Sequence, residues 1–439
     1  MKYLPQNVQK YLDKYGLTKW KIEPGGTKLF DNIIVIPAIA EFENLKNLLS
    51  PLFDNDIKHF TTTLVLIVVN NTSSASEEVR INNKKSIELI RQFAEKDFSI
   101  SKNNNLTIRY VDAYSVGNEM PEKKGGVGFA RKLGMDLALT MFNYSSSNKK
   151  LLICLDADCV VEKNYLSTIV EEFNMNNYSA AYINYEHLLP ENEKEKLAII
   201  CYEIFLRYYL CGLKYSKSPF AFPTIGSTIV CDYESYIKVG GMNKRKAGED
   251  FYFLEKLAKI TTIHSINNTT VYPSSRDSWR VPFGTGQRVK RFLEKEQNEY
   301  VLYNPESFIV LKRWNDIFYH ESTTINKLIN DAESINPALK DFLELNSFNK
   351  QWEKIVRSAK SKEQITKQKS IWFDGFKTLK LIHYLRDNAF PQINMFNALD
   401  RFFELINIDK KIIRDEDIPS LETQQLYLEI LKSIADNST

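Results

Sequence analysis

Short apolar runs alternate with helical patterns along the first part of the chain. These strand-like runs lie at residues 32–37, 64–69, 106–111 and 151–155, and the last, five apolar residues long, has no room for a helical period. Helical patterns at residues 43–53, 77–95 and 128–142 lie between them. Strands that alternate with helices of this length predict an α/β fold with a doubly wound, mostly parallel sheet.

The pattern changes further along the chain. A helix is expected at 164–174, strands at 180–186 and 261–266, and a long amphipathic segment at 197–213. From about residue 304, glycine nearly vanishes and apolar residues recur at helical spacing, which predicts an α-helical C-terminal region with a polar linker at 358–370. Three parts are therefore expected: an N-terminal extension over 1–30, an α/β domain over 31–303 and a helical region over 304–439.

Composition excludes several classes of partner and location. A net charge of +3 is too small to indicate nucleic acid binding. The N-terminus has no apolar leader, and Glu203 and Arg207 interrupt the apolar segment at 197–213, so no integral membrane segment is expected, although peripheral membrane association stays open. The five cysteines lack paired metal-binding spacing, and Cys154 lies within an apolar run, which favours reduced thiols in a cytoplasmic protein.

Two carboxylate motifs are the candidate chemistry of the chain. Asp156 and Asp158 end the fourth apolar run, at the strand end where open α/β sheets bind ligands. Carboxylate oxygens suit Mg²⁺ or Mn²⁺, which in turn bind phosphates, although Asp also favours simple turns. Glu249 and Asp250 follow a glycine and begin an amphipathic helix, where acids can also serve only as structural caps.

Five segments, taken in order, resemble the GT-A glycosyltransferases, and in particular their family 2. IIVIPAIAEFENL is similar to the first strand and loop of that family, and LIVVNNTSS to its second strand end. GGVGFARKLGMDLA, CLDADC and GGMNKRKAGEDFYFLEKL are similar to its glycine-rich helix start, its Asp-x-Asp motif and its Glu-Asp helix. The resemblance covers about residues 32–292 and implies a Rossmann-like GT-A fold with an α-helical appendage.

The resemblance also implies roles for the carboxylates. Asp158 would be a direct ligand of Mg²⁺ or Mn²⁺, and Asp156 would hold the ribose or the water of the metal. Asp250 would be the general base that accepts the proton of the acceptor hydroxyl. Glu249 would orient the acceptor or share the role of base.

Two segments near the ends of the first strands are implied in binding the nucleotide. Pro37, Ala38 and Glu41 would form the cradle for the base and ribose. Asn70 and Asn71 stand where relatives commonly carry Asp, so this chain keeps hydrogen-bonding capacity there but loses charge.

Glycines and arginines complete the implied donor site. Gly126, Gly128 and Arg131 match the segment that closes over the base or the phosphates, with a solvated helix residue as the alternative for Arg131. Arg276 and Arg280 lie four residues apart and could form a basic flap on the diphosphate, or equally a solvated basic loop.

Three further features are weaker candidates for a functional role. A histidine beyond the base helix completes the metal shell in some GT-A enzymes, but His264 is more simply a structural residue. Gln287 and Arg291 have the wrong spacing for the motif of processive relatives, which disfavours polymer synthesis. The aromatic loop at 218–227 is a candidate for the acceptor pocket by position, and aromatics at this density are also typical of a core.

The expected function is metal-dependent, inverting transfer of a single sugar from a UDP- or GDP-type donor. The acceptor would be an unknown glycan, lipid-linked molecule or small molecule. The alternatives are a retaining GT-A transferase and a catalytically inactive module that binds a glycan or a partner. A nucleotidyltransferase is disfavoured because the glycine-rich basic loop that such enzymes use after the first strand is absent from the sequence.

Overall fold

The structure is a computed structural model that describes residues 4–17, 19–95, 106–276, 284–320, 324–408 and 412–437. The chain divides into two compact units. The α/β unit comprises Met1–Leu188 and Thr224–Gly284, and the helical unit comprises Leu189–Pro223 and Thr285–Thr439. This division differs from the expected boundary at residue 303, because 189–223 and 285–303 pack with the C-terminal helices.

The elements up to residue 188 follow the predicted alternation closely. They are α1 (Gln6–Tyr15), β1 (Ile22–Glu23), β2 (Asn32–Ala38), α2 (Phe42–Phe53), β3 (Thr63–Asn70), α3 (Glu77–Glu95), β4 (Thr107–Ala113), α4 (Val127–Ala138), β5 (Leu151–Cys154), β6 (Val160–Val161), α5 (Tyr165–Met175) and β7 (Ala180–Tyr185).

The second half of the chain is mostly helical. Its elements are α6 (Glu193–Tyr215), β8 (Ile229–Asp232), α7 (Tyr233–Lys238), α8 (Glu249–Ala258), β9 (His264–Tyr272), α9 (Thr285–Glu294), β10 (Val301–Leu302), α10 (Glu306–His320), α11 (Ile325–Ile335), α12 (Pro337–Leu345), α13 (Phe348–Ser358), α14 (Lys362–Trp372), α15 (Gly375–Asn388), β11 (Ile393–Asn394), α16 (Met395–Leu405) and α17 (Leu421–Asn437).

A mixed sheet forms the centre of the α/β unit. Within the described residues it has nine strands in the order β1-β4-β3-β2-β5-β8-β7-β9-β6. The block β4-β3-β2-β5 is parallel, as is the pair β7 and β9, whereas β8 runs antiparallel to both of its neighbours. The predicted α/β architecture with a parallel block is therefore confirmed. Strand β8 was not expected, because its four residues lie within a segment that reads as a loop.

Helices cover both faces of the parallel block. All eight residues of β3 are buried, which explains the continuous apolar run, since each face of such a strand needs a covering layer. Ile34 and Ile36 point into the core that includes Leu45 and Leu48 of α2. On the opposite face Gly134 of α4 lies directly against Val35 and Val68, where a larger side chain would not fit.

The helical unit has its own aromatic core, which includes Tyr208, Phe308, Trp314, Phe318 and Phe402. A separate finding concerns membranes: no helix within the described ranges is both long and apolar enough to cross a bilayer.

The predicted polar linker at 358–370 is wrong. Helix α14 occupies most of it, beginning where the Ser361 side chain accepts a hydrogen bond from the backbone N–H of Gln364 at 3.3 Å. Lys369 is buried, and its Nζ lies 5.5 Å from the ring centroids of both Phe318 and Trp352. A lysine can pack its aliphatic stem and its charge against aromatic rings, yet a sequence pattern treats it as polar. The pattern at 358–370 therefore predicted a polar linker instead of a helix.

Candidate active site

The two carboxylate motifs lie at one edge of the sheet. Strands β2 and β5 are parallel neighbours, with Val35 paired to Cys154, so the loops that follow them leave the sheet at the same edge. Glu41 comes from the first of these loops and Asp156 from the second. The first turn of α8 brings Glu249 to the same place, as the arginine contacts show.

Arg131 joins the two motifs. Its Nη1 donates a hydrogen bond to Glu249 Oε1, and its Nη2 donates to Asp156 Oδ1. The side chain is only 2% exposed, so the alternative of a solvated helix residue is wrong. Gly226 makes room for it, because a Cβ there would lie 2.5 Å from both terminal nitrogens of the guanidinium.

Arg276 pairs with the other two acids of this edge. Its Nη2 lies 2.7 Å and 2.9 Å from the two carboxylate oxygens of Glu41 and 2.9 Å from Asp158 Oδ2. Arg276 is thus an ion-paired residue of the site, although its side chain is still 35% exposed. Arg280, the other residue of the expected basic flap, lies outside the described residues.

Burial raises the pKa of three of these carboxyl groups. Desolvation raises the pKa of Glu249 to about 7; the Arg131 charge opposes it, and the charges of Asp250 and Asp156 add to it. Desolvation also raises the pKa of Asp250, again against Arg131. The pKa of Asp158 is raised by desolvation and by the neighbouring Asp156 charge, against Arg276. These groups therefore hold a proton more readily than exposed carboxyl groups do.

Helix α8 begins in a turn that fixes the direction of its acids. Gly248 has φ = 69°, a left-handed conformation that suits glycine. Asn243 Nδ2 donates to the carbonyl oxygen of Glu249 at 2.8 Å. Asp250 Oδ1 accepts from the backbone N–H of Phe251 at 2.7 Å. The turn therefore limits how far the two carboxylates can move.

The glycines that begin α4 pack against this same turn. A Cβ on Gly128 would lie 2.5 Å from the carbonyl oxygen of Arg245 and 2.8 Å from Glu249 Cβ. A Cβ on Gly126 would lie 2.8 Å from Lys246 Cα. Close approach of the chain to itself thus accounts for both glycines, apart from any approach of a ligand.

Asn70 and Asn71 are both buried and hold the end of β3. Asn70 Nδ2 donates to the carbonyl oxygens of Ala38 and Val68 at 3.1 Å and 2.9 Å. Asn71 Nδ2 donates to the backbone carbonyl of the next residue at 2.9 Å and to one of the loop after β4 at 3.4 Å. These amide donors are therefore committed to local structure. Pro37, the other cradle residue of β2, is partly exposed beside the buried Ala38.

Asn83 of α3 was missed by the sequence analysis. Its Nδ2 donates to Asn71 Oδ1 at 2.9 Å and to the carbonyl oxygen of Asn70 at 3.0 Å, and its Oδ1 accepts from the backbone N–H of Ala40 at 2.9 Å. It thereby ties the loop after β2 to the end of β3. Its only signal in the sequence is a polar residue on the buried face of a helix.

Two weaker candidates have structural explanations. The ring of His264 stacks on Tyr178 with 3.9 Å between ring centroids, and burial lowers its pKa. Arg291 pairs with Glu299 within the helical unit, with Nη2 at 2.6 Å and Nε at 2.9 Å from Oε1. Across the described ranges, no group of three or more His, Cys, Asp or Glu side chains is arranged to hold a metal ion by itself.

Comparison with known proteins identifies no family. No protein-family model matches the chain, and no curated protein matches it. Among solved structures, S. aureus TarS 1-349 in complex with UDP-GlcNAc is similar at 13% identity and a TM-score of 0.38, over 78% of this chain and 90% of that one. The mannosyltransferase PcManGT from Pyrobaculum calidifontis, in complex with GDP-Man and Mn²⁺, is similar at 10% identity and a TM-score of 0.38, over 98% and 92% of the two chains. Similarity at this level does not decide the fold family or the activity of this chain.

Proposed function

We propose that the protein transfers a single sugar from a nucleotide-diphosphate sugar of UDP or GDP type to an acceptor hydroxyl, with inversion and with a divalent cation. The observation that supports this most is the Arg131 bridge. It brings the strand-end acid Asp156 and the helix-start acid Glu249 onto one guanidinium, although they are far apart in sequence. Cation-dependent sugar transfer with inversion needs both a cation site and a nearby base, and these two motifs would supply them.

The acids of this edge fit a divalent cation. Mg²⁺ and Mn²⁺ prefer oxygen ligands, and Mg²⁺ is commonly held by one or two carboxylates together with substrate phosphates and water. Asp158 would be the direct ligand, and Asp156 would support it or hold the ribose. When bound, the cation would neutralise the negative charge that develops on the diphosphate leaving group.

The acid pair at the start of α8 would handle the proton of the acceptor hydroxyl. Asp250 would accept the proton of the acceptor hydroxyl as that oxygen attacks the sugar carbon from the face opposite the diphosphate. Its raised pKa suits a base better than an ordinary aspartate does, because the proton it gains is held more tightly. Glu249, held by Arg131, would orient the acceptor or share the role of base.

The remaining polar groups would bind the nucleotide. Pro37, Ala38 and Glu41 would line the base and ribose from the loop after β2. Asn70 and Asn71 would shape that cradle through the backbone they hold. The helix start at Gly126 and Gly128 would close one side.

The arginines of the site would have two different roles. Arg276 and Arg280 would contact the diphosphate, and Arg131 would hold the two acid motifs in place beside it. The five buried free cysteines suit a reducing compartment, so a cytoplasmic location remains part of the proposal.

A thermal-shift panel tests the donor and the cation together. The protein is melted with individual UDP- and GDP-sugars, with and without Mn²⁺, beside the variants Asp158→Asn and Asp54→Asn. A ligand at 100 times its dissociation constant stabilises the folded state by about 2.7 kcal/mol. We expect stabilisation by one donor class, only with Mn²⁺, that Asp158→Asn loses and the exposed control Asp54→Asn keeps. Absence of stabilisation by every donor would argue against sugar transfer.

Product stereochemistry tests the role of Asp250. Inversion predicts that the anomeric configuration of the product is opposite to that of the donor, as read by NMR. Retention of configuration would contradict the assignment of Asp250 as the base that activates the acceptor.

A further inference from the structure

One nitrogen of Arg276 lies at the point where two acid-bearing loops face each other. Among the described residues, three carboxylate oxygens lie within 2.9 Å of this Nη2, two from Glu41 and one from Asp158. The nitrogen carries only two hydrogens, so three such contacts cannot all be well-directed hydrogen bonds. The positive charge of the guanidinium is therefore what holds these oxygens together.

We propose that Arg276 is the resident counter-ion of the cation site, and that a divalent cation binds Asp158 only when the guanidinium leaves it. This proposal rests on the proposed function, because Asp158 is the cation ligand there. It adds a competition between a side chain of the protein and the cation for the same carboxylate oxygen.

The geometry places the two cations in competition for one carboxylate oxygen. Asp158 Oδ2 is 2.9 Å from Arg276 Nη2, and Mg²⁺ binds carboxylate oxygen at about 2.0 to 2.1 Å. A dication on that oxygen would therefore lie within about 5 Å of the guanidinium nitrogen, and like charges at that distance repel strongly in a partly buried site. The second carboxylate favours Arg276 at this place: Glu41 is buried, and the guanidinium contacts both of its oxygens beside the Asn44 amide.

Competition of this kind couples cation binding to nucleotide binding. A cation that arrives alone must displace Arg276 and offers the guanidinium no new partner. A diphosphate provides one, since guanidinium groups bind phosphate oxygens with paired hydrogen bonds. The cation should therefore bind weakly alone and much more tightly together with the nucleotide, and the nucleotide should benefit from the cation by the same factor.

The alternative is a permanent structural pair. In that case Arg276 would hold the end of β9 to the loop after β2 in every state, and the cation would use other oxygens. Removal of Arg276 would then change stability without changing cation affinity beyond the general effect of losing one positive charge.

Titration of the full-length protein with Mn²⁺ alone, read by electron paramagnetic resonance of the free ion, separates these cases. The variants are Arg276→Gln, Arg276→Lys, Arg276→Gln combined with Asp158→Asn, and Arg245→Gln as a control. Arg245 belongs to the same unit, loses the same charge, and lies over the Tyr252 ring with 3.8 Å between its guanidinium carbon and the centroid.

We expect Arg276→Gln to bind Mn²⁺ roughly tenfold more tightly than the unchanged protein, which corresponds to about 1.4 kcal/mol. Arg245→Gln should stay within about twofold, a difference of about 0.4 kcal/mol. Arg276→Lys keeps the charge, so it should stay near the unchanged protein. The double variant should lose the tight site. Addition of UDP should strengthen Mn²⁺ binding in the unchanged protein more than in Arg276→Gln.

The outcomes distinguish this proposal from the proposed function. Equal Mn²⁺ affinity in Arg276→Gln, Arg245→Gln and the unchanged protein overturns the displacement but leaves sugar transfer standing. Tight binding that survives in the double variant also overturns it, because the ion would then sit elsewhere. Absence of saturable Mn²⁺ binding in every variant, with or without UDP, overturns both the displacement and the cation in the proposed function. If Arg276→Gln does not fold, Arg276→Met, which keeps the apolar stem without the charge, takes its place with the same expectations.

Discussion

Replacement of Arg131 by glutamine tests the bridge at the centre of the site. The guanidinium is almost fully buried, and it serves two carboxylates that approach from different elements. The substitution keeps a polar side chain of smaller size but removes the positive charge. Asp156 and Glu249 then remain close together without their shared partner.

The expected loss of stability is large and depends on pH. Removing one partner of a buried ion pair typically costs about 3 to 5 kcal/mol, because an uncompensated charge stays buried. Here Glu249 can reduce that cost by taking up a proton, since its pKa is already about 7. Glu249 therefore takes up a proton more readily at pH 6 than at pH 8. The cost of Arg131→Gln should therefore be larger at pH 8 than at pH 6.

Urea unfolding at pH 6 and pH 8 measures this difference. The control is Lys46→Gln in the same unit, whose exposed pair with Glu43 at 3.0 Å should contribute less than about 1 kcal/mol at either pH. Combination with Glu249→Gln should remove most of the pH dependence, because the group that changes its charge is gone. A loss below about 1 kcal/mol for Arg131→Gln, equal at both pH values, would refute the view that Arg131 holds the two motifs together.

Three further predictions concern the first turn of α8 and its surroundings. Asp250→Asn should lower the rate of sugar transfer by about 10²- to 10⁴-fold, the usual contribution of a general base. The thermal shift caused by UDP and Mn²⁺ should stay unchanged. Full activity of the variant would contradict the role of Asp250 as the base. Because the pKa of Glu249 is raised in the folded state, the folded protein holds an extra proton between the ordinary carboxyl value and about 7, so stability should fall as pH rises through this window by up to about 3 kcal/mol. Glu249→Gln should flatten that slope, and an unchanged slope in urea titrations would assign it to another group. Gly128→Ala should lower the free energy of unfolding by about 1 to 3 kcal/mol, since its Cβ would meet the carbonyl oxygen of Arg245. The control Gly25→Ala has open space around its Cβ and should be close to neutral. Equal effects of the two substitutions in thermal unfolding would contradict the close packing of α4 on the turn.

The strands of the parallel block could be predicted because most of their residues are apolar. Strands β2, β3, β4 and β5 all lie within two residues of the expected bounds. Strand β8 was not predicted, because four residues after a turn gain strand geometry only through pairing with β5 and β7 on either side. Short strands of this kind depend on neighbours that a local pattern does not contain.

In the candidate site, too, the features that depend on long-range contacts could not be predicted from local sequence. The positions of Asp156 and Glu249 followed from strand and helix ends, which local sequence indicates well. The burial of Arg131 did not follow, because its two partners come from the loop after β5 and from α8, and only the folded chain brings them to α4. Residue type and spacing therefore located the acids, and long-range packing decided which arginine each of them contacts.

Release of nucleotide from sugar donors tests the central claim most directly. Each UDP- and GDP-sugar is incubated with the protein, with Mn²⁺ or with chelator and with water as the acceptor of the sugar, and free UDP or GDP is measured over time. We expect release from one donor class that requires Mn²⁺, falls at least about 100-fold in Asp158→Asn, and persists in Asp54→Asn. Release that is equal in Asp158→Asn, or no release from any donor, would contradict a cation-dependent sugar-transfer site at the end of β5.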